Sequence, residues 1–145
     1  MDHDPGQGLP QEILRRGSLA GSEYAWRVQD IPDVIEAARL TNLLNIGGQL
    51  QFRLPGGGTC ECYWVEVDTY QSVDKALPWK RRVALSAEIG LRDFRELQSK
   101  WDFVAEGRKG FSSHLDALAR SGHNVSECAC FVWYVTSEER ERRIA

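Results

Sequence analysis

The sequence predicts a single α+β domain, with a mainly antiparallel sheet of about four strands packed by about three helices. Three observations predict this class: an apolar stripe at helical spacing after Asp30, two alternating segments that flank a Pro-Gly-Gly-Gly loop, and an aromatic run that begins at Cys128. The length of 145 residues suits one domain. We place this domain at residues 11–137, between a disordered tail (1–10) and a charged C-terminal tail (138–145).

Two helices are predicted at the start of the domain. A short helix covers residues 11–16. A longer helix follows Asp30, whose carboxylate can accept hydrogen bonds from the unpaired amides of the first turn. We expect it to end near residues 43–44, with Asn45 and Gly47 as candidates for a left-handed backbone.

A β-hairpin is predicted over residues 48–68, with its loop at residues 55–58. The first strand alternates strictly between apolar and polar residues, as a half-buried strand does. Its apolar face is formed by Leu50, Phe52 and Leu54. One face of the second strand is formed by Cys60, Cys62 and Trp64. Because the other face is also partly apolar, we expect the second strand to be central in the sheet.

The second half of the chain is predicted to contain two strands and two helices. Apolar residues alternate over residues 82–89, which indicates a third strand. Helices are predicted at residues 91–106 and 111–121, because their apolar residues recur at helical spacing. The run that begins at Cys128 is rich in aromatic and β-branched residues and predicts a buried strand.

Composition narrows the classes of function. The net charge of −3 argues against a general nucleic-acid binder, which usually carries a basic patch. No apolar run approaches the roughly 20 residues that span a bilayer, and the N-terminal segment lacks the pattern of a signal peptide. We therefore expect a cytoplasmic protein without a membrane partner, in which thiols stay reduced.

The four cysteines form two Cys-x-Cys pairs, Cys60/Cys62 and Cys128/Cys130. Alternate residues of a strand lie roughly 7 Å apart, whereas tetrahedral zinc needs sulfur atoms about 3.8 Å apart. A disulfide within either pair meets the same difficulty. A metal site and a cross-strand disulfide remain alternatives, but we expect these thiols to pack as small apolar groups, without metal or cofactor.

Catalytic motifs are not evident. A thiol-dependent enzyme or redox protein could use Cys128 or Cys60 with His123, and Asp116 could orient the histidine. Four cysteines and three histidines, the others being His3 and His114, allow such combinations in any fold. The three glycines after Pro55 join two strands, and no Lys-Ser/Thr follows them, so they do not form a phosphate-binding loop.

The order of features in the first 70 residues resembles one group of proteins. Ile13-Leu14 and Gly17 come first, Trp26 precedes an acid-capped helix, and Ile46-Gly47-Gly48 joins that helix to a strand. This arrangement is similar to small bacterial immunity proteins encoded beside polymorphic or contact-dependent toxins, one group of which has a helix leading into a Gly-Gly-Asp-Val-type strand. The resemblance implies a non-catalytic protein that binds one cognate toxin tightly and blocks it.

Partner-binding residues are expected at the exit of the hairpin. Against a basic, nuclease-type toxin, acidic and aromatic side chains there would speed association and orient the partner. The candidates are Glu66, Asp68, Tyr70 and Asp74, with Trp79, beside Lys80–Arg82, as an exposed aromatic anchor. A secretion chaperone or adaptor is the alternative reading within the class of binding proteins.

Overall fold

The computed structural model describes residues 8–144, which contain one antiparallel sheet and five α-helices. The strands are β1 (Ser18–Ala20), β2 (Glu23–Arg27), β3 (Leu44–Arg53), β4 (Thr59–Asp68) and β5 (Ala129–Thr136). The helices are α1 (Gln11–Arg16), α2 (Ile31–Leu40), α3 (Trp79–Lys100), α4 (Phe103–Arg120) and α5 (Glu138–Ile144). The strand order is β1-β2-β5-β3-β4, and the predicted α+β class is confirmed.

The predicted N-terminal tail, residues 1–10, is described only in part. Residues 1–7, which include His3, lie outside the described residues. Leu9 is buried and belongs to the same core cluster as Ile13. The packed part of the chain therefore includes residues before position 11.

Helix α2 begins where the sequence predicts, but Asp30 does not cap it. The Asp30 carboxylate makes no hydrogen bond to a first-turn amide and instead accepts one from Nη1 of Arg16 at 3.3 Å. The helix ends at Leu40, earlier than predicted, and Asn42, with φ of 63°, takes the left-handed position expected for Asn45. Asn45 lies inside β3, which pairs with β5 from Leu44 onward, and its φ is not positive, whereas Gly47, the other candidate, has a φ of 131°.

Asn45 is buried and connects β3 to three other elements. Its Oδ1 accepts a hydrogen bond from the indole N–H of Trp133 in β5 at 2.9 Å. Its Nδ2 donates to the carbonyl of Ile35 in α2 at 3.2 Å, and its backbone N–H donates to Oγ of Ser86 in α3 at 2.9 Å. Because buried polar groups need such partners, these bonds fix the position of β3 against both helices.

The third strand predicted at residues 82–89 is wrong, because this segment forms part of α3. Val83, Ala87 and Phe94 are buried, and their separations of four and seven residues place them on one face of a helix. Within residues 82–89 alone, Val83 and Ala87 also fit the alternation of a strand. The helical repeat becomes visible only when the window extends to Phe94.

The helices predicted at residues 91–106 and 111–121 are divided differently in the structure. The break falls at Asp102, whose carboxylate caps α4 by accepting a hydrogen bond from the amide three residues later at 3.1 Å. Phe111 has non-helical dihedral angles, φ −138° and ψ 38°. The predicted second helix thus starts at a kink inside α4.

β3 and β4 form the predicted hairpin, but the prediction that β4 is central is wrong. β4 is the edge strand beside β3, while β3 and β5 lie inside the sheet. A large bulge interrupts β4: Gln49 pairs with Glu66, whereas its neighbour Leu50 pairs with Cys62. The three residues between Cys62 and Glu66 therefore have no partner in β3, and the alternation of β4 changes phase there.

The bulge corrects the predicted faces of β4. Cys60 and Cys62 face the main core as expected, but Val65 joins them there in place of Trp64. Trp64 is 46% exposed, and its neighbour Tyr63 is 60% exposed. The extra residues turn both aromatic side chains away from the core.

Gly47 and Gly48 lie inside β3, not at a helix-to-strand junction as predicted. Gly48 pairs with Val67 on one side and with Trp133 on the other. A Cβ atom at Gly48 would lie 1.7 Å from the carbonyl oxygen of Val132. Close approach of the flanking backbone therefore requires glycine at this position.

Helix α5 makes up most of the predicted charged tail, residues 138–145, and is joined to α3 by an ion pair. Arg82 donates through Nη1 to Oε1 of Glu141 at 2.7 Å and through Nη2 to Oε2. The hydroxyl of Tyr70 donates to the same Oε2 at 3.0 Å. We call Tyr70, Arg82 and Glu141 the C-terminal clasp.

Candidate functional site

The two faces of the sheet differ in what covers them. One face packs into the main core with residues of α1, α2, α3 and α4. On the opposite face, which we call the open face, the apolar cluster contains strand residues alone in the described part of the chain. This cluster consists of Ala25, Cys130, Val132 and Tyr134. It is shielded by polar side chains that form a connected network.

Arg53 and Gln51 organise the network on the open face. Arg53 donates to the carbonyl oxygens of Ser18 and Glu23, the latter at 2.9 Å, and its Nε donates to Oε1 of Gln51 at 3.0 Å. Nε2 of Gln51 then donates to Oε1 of Glu61 at 3.3 Å. Gln51 is only 2% exposed, so the network is held rigidly against the sheet.

Tyr134 extends the network across β5. Its hydroxyl donates to Oε2 of Glu23 and accepts from Nε2 of Gln49 at 3.1 Å. Burial, followed by the hydrogen bond to Glu23, raises the pKa of Tyr134 to about 12. Tyr134 is therefore a neutral hydrogen-bonding group at physiological pH, and not a proton-transfer group.

Carboxylates outnumber cations on the open face. The register places four of them on this side of the sheet: Glu23, Glu61, Glu66 and Asp68. Among the described strand residues, the register places two cations on the same side, Arg27 and Arg53, and two guanidinium nitrogens of Arg53 donate to backbone carbonyls. The open face therefore presents a net negative charge along β4.

The bulge brings Glu61 and Glu66 close together. A separation of five residues would put them on opposite faces of a regular strand. Here Glu61 pairs with Gln51 and Glu66 with Gln49, so both lie on the open face, roughly 7 Å apart along the neighbouring strand. Tyr63 lies beside Glu61, whose carboxylate raises the pKa of its phenol through hydrogen bonding and charge. We call Glu61, Tyr63 and Glu66 the bulge site.

Trp64 turns the other way, toward α4. Its indole N–H donates to Oε1 of Glu106 at 2.9 Å, and Oε2 of Glu106 accepts from Nζ of Lys109 at 2.7 Å. A Cβ atom at Gly110 would lie 2.9 Å from the Trp64 ring, so this glycine lets the ring approach the helix. Trp64 thus fixes the bulge against α4, while Tyr63 stays on the open face.

The five predicted partner-binding residues differ in exposure. Glu66 and Asp68 are exposed at the end of β4, on the open face. Tyr70 is half-buried in the C-terminal clasp, and the exposed Asp74 accepts a hydrogen bond from the amide two residues later at 2.9 Å. The prediction that Trp79 is exposed is wrong: it is buried and belongs to an apolar cluster with Leu44 and Val83.

Sequence reasoning missed Tyr63 and Glu61. Regular alternation along β4 places Glu61 and Tyr63 on the opposite face from Glu66, so the pattern alone does not bring the three residues together. A bulge of three residues has no local signature in this segment, since neither glycine nor proline marks it. The pairing with β3 reveals it.

The two cysteine pairs are not adjacent. β3 separates β4 from β5, and Cys60 and Cys62 face the main core, whereas Cys130 belongs to the open-face cluster. All four thiols are free, and Cys128 is half-buried. In residues 8–144, no group of three His, Cys, Asp or Glu side chains could hold a metal ion. His114 and His123 are both exposed.

Burial governs the chemistry of the thiols. It raises the pKa of Cys62 and of Cys130 to about 11. It also raises the pKa of Cys60, and with Glu127 that of Cys128. Because the thiolate is the nucleophile, the raised pKa values lower the fraction of each thiol that is reactive at neutral pH.

We expect the four native cysteines to react slowly with iodoacetamide in the folded protein at pH 7.5. Raised pKa values alone reduce the thiolate fraction, and hence the rate for Cys62 and Cys130, roughly 100-fold relative to an ordinary thiol. A Ser113→Cys variant supplies an exposed reference thiol on α4. Mass spectrometry should show that this cysteine is labelled first; a native cysteine labelled as fast would contradict the expectation.

Compared with known proteins, the chain matches no family model, no curated sequence and no solved structure. None of the helices within residues 8–144 combines the length and the apolar character needed to cross a lipid bilayer.

Proposed function

We propose that this protein is a non-catalytic binding protein, an immunity protein that neutralises a cognate bacterial toxin by tight association. The observation that carries the proposal is the open face: a rigid network of polar side chains, bordered along β4 by exposed carboxylates. A preformed face loses little conformational entropy on binding, which favours tight complexes. The resemblance of the first 70 residues to immunity proteins supports the same class.

A basic toxin is the partner that this surface suits best. Glu66 and Asp68 are exposed, and no cation within residues 8–144 forms an ion pair with either of them. Unpaired carboxylates at a surface attract a cationic partner over a Debye length, which is about 8 Å at physiological salt. We therefore propose that β4 steers the toxin toward the open face.

Co-expression with the product of the adjacent gene tests the proposal. The wild-type protein is expected to form a complex and to protect cells from that product. A Glu66→Lys/Asp68→Lys variant should lower the association rate at low salt at least about tenfold, since it reverses the steering charge. A Glu88→Lys/Glu96→Lys variant on the exposed side of α3 changes net charge equally and should protect like the wild type.

Two outcomes would contradict the proposal. Absence of both a complex and protection would exclude immunity against that product. A stable complex without protection would also exclude it and would indicate an adaptor or secretion chaperone instead.

A further inference from the structure

We infer that the bulge site, Glu61, Tyr63 and Glu66, binds an arginine side chain of the basic protein partner. The inference rests on the proposed function in taking the occupant to be a protein. It adds a specific anchor point and a specific side chain, which the overall charge of the open face does not define.

The first support is the convergence of unlike groups. The register places Glu61 and Glu66 on the same face, opposite positions of β3 that lie roughly 7 Å apart, and the unpaired residues of the bulge carry an aromatic ring between them in sequence. The Tyr63 side chain is 60% exposed, the larger exposure of the two aromatic residues in the bulge. An aromatic ring with adjacent carboxylates is the combination that anchors cationic side chains at protein interfaces.

The second support is preorganisation of one side of the site. Glu61 is half-buried and accepts a hydrogen bond from Nε2 of Gln51 at 3.3 Å. Gln51 is in turn held by Arg53 at 3.0 Å. A carboxylate has about four acceptor positions, so Glu61 keeps acceptor capacity for an incoming donor while its position is fixed.

The third support is the state of Glu66. It is exposed, and no cation of the described part of the chain forms an ion pair with it. Trp64, the other aromatic residue of the bulge, is already bonded to Glu106 on the opposite side. The exposed carboxylate of Glu66 and the exposed ring of Tyr63 therefore lie on the open face, whereas Trp64 does not.

These groups favour arginine over lysine. A guanidinium is planar, donates in two directions and stacks on aromatic rings, so it can bridge two separated carboxylates while lying over the phenol ring. A lysine ammonium is a compact point charge that is more strongly hydrated. The bulge site thus adds side-chain specificity to the charge attraction of β4.

Capped peptides test the inference without the toxin. Two hexapeptides, alternating glycine with arginine or with lysine, carry equal charge and are titrated into isotopically labelled protein at low salt while amide shifts are followed by NMR. We expect the arginine peptide to bind more tightly, with the largest shifts at residues 61–66. Tyr63→Leu should weaken its binding about fivefold, and Tyr63→Phe should leave it unchanged, because the ring supplies the contact.

Glu66→Gln is expected to weaken the arginine peptide about threefold, in the range of an exposed ion pair. Glu96→Gln removes one exposed carboxylate from α3 and serves as the matched control, with unchanged binding expected. All substituted residues are exposed, so we expect these variants to fold. If Tyr63→Leu unfolds, the comparison of Glu66→Gln with Glu96→Gln still tests the arginine site. Equal binding of the two peptides, no binding, or equal effects of the two glutamine variants would overturn the inference.

The two proposals fail independently. If the wild-type protein protects cells but the two peptides bind equally or not at all, or the two glutamine variants have equal effects, the arginine site is excluded and the immunity proposal stands. If the arginine peptide binds selectively at residues 61–66 but the protein gives no protection in co-expression, immunity is excluded and the arginine site stands.

Discussion

Replacing Gly48 by alanine is expected to destabilise the native state by more than about 4 kcal/mol, enough to unfold many single domains. The added Cβ would lie 1.7 Å from the carbonyl oxygen of Val132 and 3.1 Å from Cα of Trp133. Both atoms belong to the backbone of β5, so no change of side-chain rotamer can relieve the clash. Either β3 and β5 separate locally or the strand loses its register.

The position of Gly48 makes such a shift costly. β3 is hydrogen-bonded on both sides, to β4 and to β5. Asn45, three residues earlier, is held through its side chain by Trp133 and Ile35. A displacement of β3 would break these buried bonds, and each unsatisfied polar group costs roughly 1–3 kcal/mol.

Gly56→Ala is the matched control for this prediction. Gly56 lies in the hairpin loop, its φ is not positive, and no atom lies within 4 Å of the added Cβ. We expect its free energy of unfolding to stay within about 0.5 kcal/mol of the wild type or to rise slightly. Urea denaturation followed by tryptophan fluorescence compares the two; equal stability of the two variants would show that the sheet can open at Gly48.

Replacing Glu141 by glutamine is expected to destabilise the native state by about 2–3 kcal/mol. The substitution removes the charge that faces Arg82, whose side chain is only 7% exposed. Nε of Arg82 already lacks a partner within the described residues, so the variant would leave a poorly compensated guanidinium in a buried position. The 19% exposure of Glu141 places the expected loss below that of a fully buried ion pair.

The stabilisation by Glu141 should depend on pH with a definite sign. The hydrogen bond from Arg82 is the largest of the effects that lower the pKa of Glu141 from its usual value of 4.5, and burial opposes it. A carboxyl group with a lowered pKa stabilises the folded state above its unfolded-state pKa. This stability is lost as the pH falls through the folded-state pKa. The stability difference between wild type and Glu141→Gln should therefore be constant above about pH 5.5 and shrink below pH 4.5.

Glu139→Gln tests whether the effect belongs to the C-terminal clasp. Glu139 lies on the same helix, α5, and forms an exposed pair with Arg143 at 3.0 Å. Exposed pairs contribute little, so we expect a change of at most about 0.5 kcal/mol and no comparable dependence on pH. A loss as large as that of Glu141→Gln would mean that general helix charge, not the clasp, governs stability.

Much of the fold can be predicted from short-range patterns. The start of α2, the hairpin and the final strand each have a local signature: an apolar stripe after Asp30, strict alternation from Gln49 to Leu54, and a β-branched aromatic run at residues 129–136. Residues 82–89 of α3 are predicted as a strand because their apolar residues fit both the two-residue repeat of a strand and the repeat of a helix. The helix is preferred there because its longer stripe packs on the core through Phe94.

The candidate site is harder to predict because long-range pairing creates it. Glu61 and Glu66 share a face only when Gln51 and Gln49 are their neighbours. Glu66 and Asp68 could be predicted as partner-binding candidates from their position after the hairpin, and they do lie exposed on the open face. Trp79 could not be placed from its basic neighbours, because the apolar contacts that bury it come from β3, far away in the sequence.

The position of β5 has a consequence for the order of folding. β5 follows the two long helices in the chain, yet it lies between β2 and β3. Until residues 129–136 leave the ribosome, each of those strands has an unpaired edge and the sheet exists at most as two separate hairpins. β3 and β5 bring together residues such as Gln49 and Tyr134, whose side chains are hydrogen-bonded although they lie 85 positions apart, and the entropy of closing such long loops slows the final step. We therefore expect the sheet to be completed only after residues 129–136 have been synthesised, in a single concerted insertion of β5.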